Sequence, residues 1–117
     1  MAETFTVNVA QDNGIWIFET HGYINNLAGE AISEKYREAF DQGGRQFLFD
    51  LEDSKIINSV GVSILIEILE EIVERNGTMA FCHCVPIVKK TFNIMGITQY
   101  ASIYETRSEA LAAMREN

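Results

Sequence analysis

Four groups of residues carry side chains that could do chemistry. Ser59 stands in Asn58-Ser59-Val60-Gly61, where a polar loop gives way to a long apolar segment. Cys82, His83 and Cys84 are consecutive, and His21 is the other histidine of the chain. Asp50 closes the apolar run Phe47-Leu48-Phe49, and Glu67, Glu70, Glu71 and Glu74 lie beyond Ser59. A serine at a helix start has two uses. Asn58 or Ser59 could accept a bond from an unpaired first-turn N–H, a cap worth about 1 kcal/mol. Alternatively the hydroxyl could be phosphorylated. A phosphate there meets free N–H donors and the positive end of the helix dipole, and it adds about −1.5 to −2 of charge. Gly61 would then let a partner's backbone approach the hydroxyl. A hydrolytic serine needs a histidine and a G-x-S-x-G elbow, and N-S-V-G is not that motif.

The remaining groups point to less. Strand alternation places Cys82 and Cys84 on one face and His83 on the other. A structural zinc site needs four ligands, so the cysteines read as small buried apolar residues, too close along a strand for a good disulfide. Asp50 at a strand end resembles the acceptor of a phospho-receiver, which requires neighbouring acids. Asp12 and Glu19 belong to the opening hairpin and not to a matching strand end. The glutamates form a solvated helix face or a surface for a basic partner. No glycine-rich phosphate loop is present, and neither a cofactor nor a metal is expected.

These residues must be positioned by an alternating chain. Thr4 to Val9 alternates as a strand, Gln11 to Gly14 reads as a turn with the Asn-Gly hairpin signal, and Ile15 to Thr20 returns. His21 to Asn26 is a loop. Ala28, Ile32, Tyr36, Ala39 and Phe40 recur at helical spacing and Gly43-Gly44 ends that helix. Gln46 to Leu51 is a central strand covered on both faces. The helix after Ser59 is apolar at Val62, Leu65, Ile66, Leu69, Ile72 and Val73. Thr78 to Cys84 is a strand and Pro86 opens a helix to about Met95. Tyr100 to Tyr104 is a last strand, and Ser108 to Arg115 a last helix. The order β-β-α-β-α-β-α-β-α predicts one α/β domain over residues 1–117. Its mostly parallel mixed sheet has about five strands and about four helices, and it opens with an antiparallel hairpin.

At 117 residues with 47% hydrophobic content and one proline, the chain can bury a real core. A net charge of −8 argues against nucleic acid or an anionic membrane as partner. The opening residues do not read as a signal peptide, no stretch is apolar and long enough to span a bilayer, and a cytoplasmic protein is expected.

Several segments, taken together, carry a family resemblance. The stretch Phe49-Asp50-Leu51, then Ile56-Ile57-Asn58-Ser59-Val60-Gly61-Val62, then Leu65, resembles the signature of the STAS domain family of anti-sigma-factor antagonists. That signature reads apolar-Asp-Leu, a loop, apolar-Asp-Ser-Ser/Thr-Gly-apolar, then a helix. His21-Gly22-Tyr23-Ile24-Asn25 is similar to the family's Gly-Glu-Leu-Asp segment. Gly77-Thr78-Met79 to Cys84, with Pro86 to Ile97, is similar to its later strand, helix and Gly-Leu step. The resemblance implies that Ser59 is the phosphorylated serine and that Asn25, Asn58, Ser59, Val60 and Gly61 meet the partner. It implies a non-enzymatic partner switch, as a monomer or weak dimer. The unphosphorylated form binds an anti-sigma factor that is also a GHKL-type serine kinase. Phosphorylation releases it, and a PP2C-type phosphatase resets the cycle. The chain departs from the pattern at Asn58 and Asn25, each in place of an aspartate, at Val60 in place of Ser/Thr and at Tyr23 in place of Glu. An unswitched STAS scaffold, or a small-ligand sensor subunit of a larger assembly, is the alternative reading.

Overall fold

The computed structural model describes residues 4–116. Strand β1 (Thr6–Asp12) turns into β2 (Ile15–His21) through Asn13 and Gly14, both at positive φ. That is the backbone of a two-residue hairpin turn whose twist matches its strands. The turn is shorter than expected, so β1 runs on to Asp12, three residues past Val9. Then follow α1 (Asn26–Asp41), β3 (Gln46–Asp53), α2 (Ser59–Glu74), β4 (Thr78–Cys82) and α3 (Pro86–Ile94). A short 3-10 turn (Ile97–Gln99) leads to β5 (Ser102–Tyr104) and α4 (Arg107–Arg115). The sheet order is β1-β2-β3-β4-β5, with β1 antiparallel to β2 and the other neighbours parallel. The mixed sheet and the four α-helices match the expected class.

The faces of the sheet are unequal. Phe18, Phe47, Phe49, Leu51, Met79 and Phe81 point into the larger core with Ile32 and Tyr36 of α1, Leu65 and Leu69 of α2 and Phe92 of α3. The alternate residues Ile15, Ile17, Leu48, Ala80 and Cys82 meet Ala110 and Met114 of α4. The buried run Phe47 to Leu51 of β3 therefore does face apolar layers on both sides. Among the described residues no helix is long and apolar enough to cross a membrane.

The strand expected to reach Cys84 stops at Cys82, because His83 takes a left-handed conformation with φ 57°. This corrects the placement of the cysteines. Cys82 packs on the α4 side and Cys84 against the opposite core. They share no face, although both remain apolar packing residues. Burial pushes each thiol up to about 12.

A second correction concerns Glu19. Because β2 runs parallel to β3, Glu19 lies directly opposite Asp50, not away from it on the hairpin. Arg107, the first residue of α4, closes on both. Its Nε and Nη2 lie 3.0 and 2.8 Å from Asp50 Oδ2, and Nη2 is 2.6 Å from Glu19 Oε2. The acids at these strand ends thus anchor a helix. Oxygen and nitrogen atoms of Asp50 and His83 and the sulfur of Cys82 lie within 4.8 Å of one another. A guanidinium already occupies the buried carboxylate, and the thiol is held protonated, so this set is poorly suited to a cation.

Candidate functional site

Two helices begin side by side at one end of the sheet. Before α1 the chain passes through Ile24, which forms a lone parallel bridge with Ile57 just before α2. The Ile24 N–H donates to the Ile56 carbonyl at 3.0 Å, and the Asn58 N–H donates to the Ile24 carbonyl at 3.0 Å. These bonds fix the two helix entries to each other.

Each entry is closed by an asparagine. Asn25 Oδ1 accepts from the Ala28 N–H at 3.0 Å, and Asn58 Oδ1 accepts from the Gly61 N–H at 2.8 Å. The sequence pattern places Asn25 in a loop and starts α1 near Ala28. The cap extends the helix back to Asn26 and leaves Leu27 outside the apolar stripe, 68% exposed.

Asn58 therefore does the capping, and Ser59 does not. Ser59 is the first residue of α2 and is exposed. Its carbonyl accepts from the Ser63 hydroxyl at 2.9 Å, while its own hydroxyl has no hydrogen-bond partner among the described residues. With the Gly61 N–H taken by Asn58, the Ser59 and Val60 N–H groups have no hydrogen-bond partner among the described residues, as is usual for first-turn donors. Neither α1 nor α2 carries an acid in its first turn. The positive ends of both helices thus meet a capping amide oxygen but no carboxylate from their own first turns.

Gly61 is placed differently from expectation. It is buried, and a Cβ there would lie 2.5 Å from the Ile24 carbonyl oxygen. The room it provides is taken by the chain's own Ile24 strand, not by a partner. Val60 is 48% exposed, and Tyr23, Leu27 and Ile56 surround the two caps with further exposed apolar surface. These three were missed as site residues. Their hydropathy alone does not distinguish them from core residues.

His21 lies away from serine chemistry. Its Nδ1 is 2.8 Å from Asp53 Oδ2 and its Nε2 is 3.1 Å from Glu19 Oε1, so both ring nitrogens are engaged.

The cap assignment makes a test. Asn58→Ala should cost about 1 kcal/mol of stability, whereas Asn58→Asp, which keeps the capping oxygen, should cost little. Equilibrium urea unfolding checks both. An equal loss for the two would mean that the side-chain oxygen is not the cap.

A family model described as the STAS domain matches residues 6–110. The chain is 24% identical over 115 residues to the anti-sigma-F factor antagonist RsfB of Mycobacterium tuberculosis, covering 97% of this chain and 92% of that protein. The crystal structure of an anti-sigma factor antagonist from Mycobacterium paratuberculosis superposes with a TM-score of 0.85 at 20% identity, covering 98% of this chain and 99% of that one. The Bacillus cell fate determinant SpoIIAA in its phosphorylated form gives a TM-score of 0.74 at 19% identity, covering 93% and 99%.

Proposed function

The chain belongs to the STAS domain family, and from that premise we propose that it is an anti-sigma-factor antagonist switched by phosphorylation at Ser59. The observation that carries this reading is the division of labour at α2. Asn58 holds the cap, and Ser59, one residue later, presents a free hydroxyl at an exposed helix start.

In the unphosphorylated state Ser59 sits among Tyr23, Leu27, Ile56 and Val60, whose exposed apolar surface is the material of a docking face. Asn25, Asn58, Ser59 and Val60 meet the partner, and Gly61 supports them by letting the Ile24 strand close against α2. The partner is an anti-sigma factor that is also a GHKL-type serine kinase. Transferring phosphate to Ser59 places about −1.5 to −2 of charge at the shared positive end of two helices. The isolated fold tolerates that charge. The docked complex would have to bury it against apolar surface, where an unpaired ion costs several kcal/mol, and so it releases. A PP2C-type phosphatase restores the hydroxyl. In this scheme the chain is a cytoplasmic substrate and binding module, not a catalyst, and it works as a monomer or weak dimer.

Mapping phosphate on protein recovered from the native host tests the chemistry. Tryptic mass spectrometry is expected to find a phosphorylated fraction at Ser59 that disappears in Ser59→Ala. Phosphate at another residue, or none under any growth condition, would favour the unswitched scaffold or sensor.

A further inference from the structure

Beyond its first two turns α2 carries two parallel stripes. Ile66, Leu69 and Val73 form an apolar one; Glu67, Glu70 and Glu74 form an acidic one. Both follow an i, i+3, i+7 spacing, so each runs along one edge of the helix. The apolar stripe is one wall of a groove of about 740 Å³, and Met95, Ile97 and Tyr100, in the connection from α3 to β5, form the other. Leu69 and Ile97 floor the groove, whereas Val73, Met95 and Tyr100 are 42%, 46% and 66% exposed at its sides. Glu70 and Glu74 stand on the rim.

The acids of the rim are not consumed internally. Glu71, on the α1 side, accepts from the Tyr36 hydroxyl and pairs with Arg37. Glu67, Glu70 and Glu74 enter no ion pair among the described residues. An apolar channel edged by unneutralised carboxylates, all in helical register, specifies its occupant by charge and by spacing. A second copy would bring the same carboxylates and a net charge of −8 against them. An anionic membrane would be repelled for the same reason.

We propose that this groove docks an amphipathic helix of a partner protein, with an apolar ridge that fills the channel and lysines or arginines that pair with Glu67, Glu70 and Glu74. The site covers the second half of α2, from Ile66 to Glu74, about 10 to 22 Å along the helix from Ser59 at 1.5 Å per residue. It can therefore be occupied whatever the state of the serine, and the proposal does not rest on the switch.

The test is an NMR titration of the full chain with a synthetic helical peptide bearing a leucine ridge flanked by lysines. Saturable amide shifts are expected at Leu69, Val73, Ile97 and Tyr100, with Ser59 to Val62 unmoved. Reversing the two rim acids and their neighbour on the acidic stripe with Glu70→Lys, Glu74→Lys and Glu67→Lys should weaken binding at least about tenfold, and added salt should weaken it in the wild type. Should the triple variant not fold by circular dichroism, Met95→Ala with Tyr100→Ala, both at exposed positions, makes the same comparison. The proposal is overturned if the groove does not shift at millimolar peptide, or if a peptide with glutamates for lysines binds equally. Groove shifts produced by concentrating the protein alone, or by phosphatidylglycerol vesicles, would overturn it in favour of a second copy or a membrane.

Discussion

Gly61→Ala is expected to destabilise the fold by about 2 kcal/mol, the reverse of what helix propensity alone would give. In an exposed helix interior the change gains up to about 1 kcal/mol. Here the new Cβ would stand 2.5 Å from the Ile24 carbonyl oxygen and 3.0 Å from Ile24 Cγ2. The nearest atom is backbone and is held by the Asn58 N–H, so it cannot swing away as a side-chain tip would. Overpacking of this kind costs about 1–3 kcal/mol, and moving Ile24 also strains the bond to Ile56 and the cap at Asn25. Urea unfolding should show the midpoint falling with the slope unchanged, and partner capture should fall with it. An unchanged or raised midpoint would mean that Ile24 yields freely and that the two helix entries are not locked together.

Arg107→Ala is expected to cost about 2–3 kcal/mol near neutral pH. The substitution leaves Asp50, 4% exposed, with the Glu52 N–H as its remaining side-chain partner. Removing one member of a fully buried ion pair costs about 3–5 kcal/mol, and the figure here is reduced because Arg107 is itself one-third exposed. An arginine at a helix N-terminus opposes the dipole, so these carboxylates are what hold it there. Arg107→Lys keeps the charge but not the two-pronged bond to Asp50, and should fall between. Replacing Asp50 and Arg107 together by leucine should recover part of the loss, because no buried charge is then stranded.

The same contact fixes a pH dependence. The Arg107 guanidinium holds the Glu19 carboxyl below its ordinary value of 4.5, burial opposing and His21 assisting. A carboxyl with a depressed folded pKa contributes stability that is present above 4.5 and is lost as pH falls through the folded value. Acid unfolding of the wild type should therefore steepen below that point, and Arg107→Ala should flatten this limb. Parallel acid limbs would show that Glu19 draws nothing from Arg107.

Much of this architecture is readable from local pattern. Alternation in the hairpin, the unbroken apolar run of β3 and the periodicity of α1 and α2 each reflect burial that neighbouring residues already encode. What is hidden depends on register or on a single dihedral. Glu19 meets Asp50 because β2 and β3 are parallel and in step, which neither segment encodes alone. Cys82 and Cys84 part company because one residue, His83, turns left-handed. At the site, Ser59 and Asn58 are legible as helix-start residues, but which of them caps α2 is not, since either side chain has the required oxygen; Asn25 reads as loop, because the apolar periodicity of α1 begins only at Ala28. The role of Gly61 was misplaced because its crowding comes from Ile24, far away in the chain. Tyr23 is legible only as a departure from the family segment, and Leu27 and Ile56 carry no mark of a surface role, because apolar residues at a surface look, in sequence, like apolar residues in a core.

The central claim is that Ser59 governs a docking face. The most direct measurement is capture from the native host with tagged wild type, Ser59→Ala and Ser59→Asp, with bound proteins identified by mass spectrometry. Wild type and Ser59→Ala should both retain a GHKL-type kinase, and Ser59→Asp should retain at most about one hundredth as much, equivalent to at least about 2.7 kcal/mol. Equal capture by all three forms, or capture of no such kinase by any of them, would contradict the switch.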